Sequence, residues 1–118
     1  MVKTTQYNGL TLIEFDSQGP RLGTERDASD VLSEAFAVDA SVVVIPVDRL
    51  DPQFFELRSG LAGGFFQKLQ NYDCRLVIVG DISAEVTASK SLHDFVYETN
   101  RRGHHLFVPD RQTMLDRL

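Results

Sequence analysis

Residues 41–81 read SVVVIPVDRLDPQFFELRSGLAGGFFQKLQNYDCRLVIVGD, and the fold is decided here. Val42 to Val47 and Leu76 to Val79 are short runs dominated by Val and Ile. They lack the polar residue at every second position that a solvent-facing strand needs, so each is expected to be covered on both faces. Between them lies a segment of helical length. Two buried strands joined by one helix make a βαβ crossover, which predicts a parallel pair.

Toward the N-terminus, Val2 to Tyr7 alternates weakly and fits an edge strand. Asn8-Gly9 tolerates the positive φ angles of a two-residue turn, and Leu10 to Phe15 reads as the returning strand. Ser17 to Pro20 is a loop. Thr24 or Asp27 can cap a helix over Arg26 to Val38, with Ala28, Val31, Leu32, Ala35 and Phe36 on its core-facing stripe. Pro46 has no N–H to donate, so a neighbouring ladder is expected to stop there or leave it unpaired.

Inside the central stretch, Asp51-Pro52 resembles a turn or a helix start. Leu61, Phe65 and Leu69 keep i, i+4, i+8 spacing through a segment that also holds Gly60, Gly63 and Gly64. Each helical glycine costs about 0.5–1 kcal/mol relative to alanine. The cluster therefore needs a compensating reason: close approach to the sheet, or close approach of a ligand or a partner's backbone.

Toward the C-terminus, Ser83 to Ser89 is polar and reads as a loop or a turn of helix. Ser91 can cap a helix through Asn100, with Leu92, Phe95, Val96 and Thr99 facing inward, and Arg101, Arg102 and Gly103 form its stop. His105 to Val108 is a last short strand, and Pro109-Asp110 starts a closing helix. The order β-β-α-β-α-β-α-β-α predicts one α/β domain over residues 1–118. Its sheet is expected to be mixed but mainly parallel, with right-handed crossovers.

The chain has 118 residues, 42% of them hydrophobic and 25% charged, with a formal net charge of -5, which fits a soluble globular protein. That charge, and the lack of any Lys/Arg cluster longer than Arg101-Arg102, argues against nucleic acid as a partner. No apolar run approaches the roughly 20 residues that span a bilayer. The N-terminus lacks the apolar core of a signal peptide, so the expected location is cytoplasmic, with no membrane association. The single cysteine, Cys74, opens an apolar run and is expected to be a buried thiol.

Sites in open α/β sheets lie beyond the carboxyl ends of the strands. That edge is expected to gather Asp48 and Arg49, then Asp81 and Ser83, then Asp110. Arg58, Ser59 and Gly60 lie beside the start of the glycine-rich segment. A helix beginning at Ser59 would offer free N–H groups and a positive dipole end to an anion, with Arg58 adding attraction. The competing reading is a plain Ser59 cap among solvated charges. Phosphate-loop, dinucleotide and nucleophile-elbow motifs are absent from the sequence, and His93, His104 and His105 have no metal-ligand spacing with Cys74. His104 and His105, being adjacent, would face opposite ways in a strand. No metal or cofactor is expected.

Leu57-Arg58-Ser59-Gly60-Leu61 followed by Val77-Ile78-Val79-Gly80 resembles the pattern of STAS domains, named for sulfate transporters and anti-sigma factor antagonists. There a buried strand leads to Asp-Ser-Ser-Gly-Leu at a helix start, and a second strand ends in Val-Gly. In regulatory members the serine before the glycine is phosphorylated and controls partner binding. The resemblance implies that role for Ser59, whereas Leu57 and Arg58 replace the family's aspartate and preceding serine. The chain also resembles the domain of unknown function 4180 family of bacterial proteins. Val-Ile-Pro-Val-Asp-Arg-Leu, Arg-Ser-Gly-Leu-Ala-Gly, Val-Gly-Asp-Ile-Ser and Asp-Phe-Val-Tyr-Glu-Thr-Asn-Arg carry that likeness.

The leading expectation is thus a non-enzymatic, STAS-like interaction domain. Its partner surface would be Asp48, Arg49, Gly63 and Gly64 around Ser59. The alternative is a phosphate- or carboxylate-bearing small molecule held by Arg58, Ser59, Gly60, Asp81 and Ser83, with or without catalysis. Self-association through an edge strand such as Val2 to Tyr7 is a third expectation.

Overall fold

The computed structural model describes residues 2–118. Five strands form one sheet in the order β1-β2-β3-β4-β5: Val2–Tyr7, Leu10–Phe15, Val42–Pro46, Arg75–Val79 and Leu106–Val108. β1 and β2 are antiparallel, and every later neighbour is parallel. The helices are α1 (Glu25–Ala37), α2 (Leu61–Asn71), α3 (Ser83–Ala88), α4 (Lys90–Arg102) and α5 (Arg111–Arg117). This is the expected single α/β domain with a mixed, mostly parallel sheet. It carries one helix more than the predicted order, because residues 83–88 form α3.

The Val/Ile runs are buried on both faces, as their composition predicts. On one face, Ile13, Val43, Ile45, Leu76, Ile78 and Phe107 share a core with Val31 and Leu32 of α1 and Phe65 and Leu69 of α2. On the other, Leu12, Val42, Val44, Val77, Leu106 and Val108 pack under Met114 of α5. Alternate residues of β2 to β5 serve opposite cores, the period-2 geometry of a strand. Across the second face, Arg111 of α5 makes a two-pronged ion pair with Glu14 of β2, at 2.8 and 3.0 Å.

Several boundaries shift for local reasons. Thr24 caps α1 in a capping box with Asp27. Phe36, expected in the core, is 50% exposed and stands edge-on to Tyr72 at 5.9 Å. The parallel ladder of β2 on β3 ends at Glu14↔Val44, before Pro46, whereas β4 continues to Pro46↔Val79. α4 is capped by Ser89, not Ser91, its Oγ accepting from Leu92 N–H at 3.2 Å. His104 and His105 precede β5 and do not diverge: their rings meet at 4.5 Å.

The largest difference lies between β3 and α2. Three short 3-10 turns, Val47–Arg49, Pro52–Phe55 and Leu57–Ser59, occupy a segment read as the run-in to one helix. Asp51 accepts from Gln53 N–H at 2.9 Å and Pro52 holds the first position of the second turn. That turn buries Phe54, which meets Phe55, Phe65 and Phe66 edge-on. Gly60 then takes φ +79, a left-handed conformation, so α2 begins at Leu61 and not at Ser59.

Candidate functional site

Because the strands are laid down in chain order, the sheet has no point at which strand order reverses. The crevice that such a reversal opens in doubly wound sheets is therefore not formed. The carboxyl edge is instead closed by loops bonded to one another. Leu22 and Leu50 form a parallel bridge, with Leu22 N–H donating to Arg49 O and Asp51 N–H to Leu22 O, both at 2.8 Å.

Arg49 locks this arrangement. It is 8% exposed, and its Nε and Nη1 donate to the carbonyls of Pro20 and Asp16 at 2.6 and 2.9 Å. Its guanidinium also lies 5.8 Å from the Phe15 ring centre. The residue expected on a partner surface is turned inward, fastening the loop after β2 to the loop after β3. Asp48 faces out beside it and lines a cavity of about 560 Å3 with Gln18, Arg21, Phe55 and Glu85. Gln18, Arg21 and Glu85 carried no recognisable signal in the sequence, because the loop after β2 and the segment from Ser83 to Ser89 read only as polar connections.

Ser59 is exposed and tied in place. Its hydroxyl donates to Gln53 O at 2.7 Å and accepts from Leu61 N–H at 3.2 Å. Gly60 N–H donates to Leu57 O at 3.1 Å. The Ser59 and Gly60 amides expected to hold an anion are thus already engaged, Ser59 N–H donating to Glu56 O at 2.9 Å. Arg58 is exposed and lines a cavity of about 350 Å3 with Phe55, Glu56, Ser89 and Ser91.

Asp81 and Ser83 lie elsewhere. They border a small cleft of about 180 Å3 with Ile82, Val96, Phe107 and Pro109. Ser83 N–H donates to Asp81 Oδ1 at 2.9 Å, and Ser83, by side chain and amide, holds that carboxyl below the usual range. Asp110 is spent in the same way, capping α5 through Thr113. The structure therefore keeps Arg58, Ser59 and Gly60 together but leaves Asp81 and Ser83 in a separate cleft. Arg58 and Asp81 line different cavities.

The glycines of α2 give the clearest signal. A Cβ built on Gly60, Gly63 or Gly64 would meet nothing within 4 Å, so they do not serve close packing on the sheet. With Ser59 they form an exposed strip of small residues, bounded by the longer side chain of Gln67. Cys74 is buried, and burial pushes its thiol up to about 11, out of reach of ordinary reactivity. No helix of the described residues is long and apolar enough to cross a membrane.

A family model described as "Domain of unknown function (DUF4180)" matches residues 7–118. No curated protein and no solved structure matches the chain.

Proposed function

We propose that this chain, which belongs to the DUF4180 family, is a non-enzymatic interaction domain of regulatory type that docks a protein partner along the open strip of α2. One observation carries this reading: Gly63 and Gly64 sit in a helix with nothing to pack against. Two exposed helical glycines weaken α2 by about 0.5–1 kcal/mol each. A partner backbone seated on that bare surface supplies the compensation that the sheet does not. Such close approach over small residues is the usual use of a glycine face.

Ser59 stands at the head of the strip and is the modification point of this proposal. A phosphate there adds about -1.5 to -2 charges and removes the donor now bonded to the Gln53 carbonyl. The new charge lies beside Arg58 and the positive end of α2, which favours it. The Pro52–Phe55 turn loses a tie at the same moment, so the docking surface changes shape as well as charge. This fits the resemblance of Leu57 to Leu61 to the phosphorylated segment of STAS regulators.

The test is partner capture from the native host's lysate with matched variants. A Gly63→Ala/Gly64→Ala double variant is expected to fold more stably yet lose the captured protein. Ser59→Asp is expected to change capture where Ser59→Ala does not mimic it. Gln112→Ala, on α5, is the control that leaves capture unaltered. Unchanged capture across all the α2 variants removes this reading.

A further inference from the structure

The sheet has two edges, and the fold treats them differently. At β5 the outward groups of Phe107 are satisfied by Asn100 of α4. Its Oδ1 accepts from Phe107 N–H at 2.8 Å and its Nδ2 donates to Phe107 O at 3.1 Å. One side chain thus does the work of a neighbouring strand and closes that edge. β1 has no such cover. It is outermost, six residues long, and its ladder with β2 runs without a bulge from Val2↔Phe15 to Tyr7↔Leu10.

The turn fixes which groups of β1 face outward. Asn8 and Gly9 have φ 49 and 76, the doubly positive pattern of a two-residue type I′ hairpin. In that hairpin the flanking pair, Tyr7 and Leu10, exchange both backbone hydrogen bonds, and bonding then alternates along the strand. Tyr7, Thr5 and Lys3 therefore bond inward to β2, and Val2, Thr4 and Gln6 direct their N–H and C=O outward. Among the described residues, no protein group bonds to the outward N–H or C=O of Thr4 or Gln6.

We propose that β1 pairs antiparallel with β1 of a second copy of this chain, with Thr4 on the two-fold axis. A two-fold axis normal to the sheet keeps each face on its own side, so paired residues must share parity along the strand. With Thr4 opposite Thr4, Val2 meets Gln6 and every outward group of the three finds a partner. Thr–Thr pairs across strands are favourable. On the other face Lys3 meets Thr5 of the second copy. That Thr5 hydroxyl donates to its own Glu14 carboxylate at 2.6 Å, so each Lys3 approaches a carboxylate of the other chain. A shift centred on Lys3 sets two lysines face to face and leaves Gln6 unpaired. A shift centred on Thr5 leaves Val2 unpaired. The strand is therefore complementary to itself in one register, which favours a second copy over an unrelated strand.

Light scattering of the full chain across micromolar to millimolar concentration is the first test. A mass of twice 13.3 kDa is expected at the upper end. Thr4→Pro removes an outward donor without touching a bond to β2, so this variant is expected to keep its circular dichroism and run as one chain. A single-chain mass at every concentration, or a dimer that survives Thr4→Pro, overturns the proposal. Register is read by single cysteines under mild oxidation, since Cys74 is buried. Thr4→Cys is expected to cross-link to itself at least tenfold faster than Lys3→Cys or Thr5→Cys. Faster linking of either alternative overturns the register.

Discussion

Two buried polar side chains make sharp predictions. Arg49 bridges two loop carbonyls, and hydrogen bonds to a charged group contribute about 1.5–3 kcal/mol each. Arg49→Met should lower stability by about 2–4 kcal/mol in chemical denaturation. Arg49→Lys should recover only part of this, because an ammonium cannot reproduce the planar fork. His105 is 5% exposed and stacked on Phe66 at 4.9 Å. Its Nδ1 accepts from Leu76 N–H at 2.9 Å, which leaves the Nε2 proton to face Phe66 O at 3.2 Å. Burial first, then the nearby His104 and Arg75, push its pKa from 6.5 to about 4. The folded chain thus binds fewer protons than the unfolded one. The contribution is complete above 6.5, declines as pH falls toward 4, and is constant below that. His105→Gln, which keeps an acceptor for Leu76, should flatten the stability profile in that window. An equal slope in both proteins would rule out His105 as the titrating group. Neither role was legible locally. A lone arginine after a strand reads as solvated charge, and its acceptors lie about thirty residues earlier in the chain.

At the scale of elements, α2 is the informative case. Its apolar spacing revealed the helix, but its start and its open side depend on tertiary placement. Gly63→Ala and Gly64→Ala should each raise stability by about 0.5–1 kcal/mol, because nothing obstructs a methyl group and the unfolded chain loses freedom. A fall in melting temperature for either would mean that the helix uses its bare surface internally. The strands were read almost to the residue, since runs such as Val42 to Ile45 and Leu76 to Ile78 need cover on both sides wherever they are placed. The junctions were less legible. Ser89 and Ser91 are both capable caps, and only the packing of Leu92 selects the first. In residues 47–59, Pro52 excludes one continuous helix, but nothing in the order after it distinguishes two tight turns from a helix that runs on into α2.

For the whole molecule, element order gave the fold class, but it could not give the strand order or the separation of Arg58 from Asp81. The Glu14–Arg111 pair joins residues 97 positions apart and spans the face under α5. Such a contact forms late, after loops that separate its partners have closed. Arg111→Met should therefore leave the folding rate nearly unchanged and speed unfolding about fivefold, for a loss of about 1 kcal/mol. Stopped-flow chevrons would show this directly, and a slowed folding limb would place the contact in the transition state instead. The consecutive strand order also bears on how the chain is made. Each strand emerging from a ribosome finds its one neighbour already synthesised, so assembly need not wait for a distant segment. The nascent sheet grows by addition at a single advancing margin, which Asn100 closes when Phe107 arrives. Translation and folding can proceed in the same direction, and α5, which follows every strand in the chain, covers the second face.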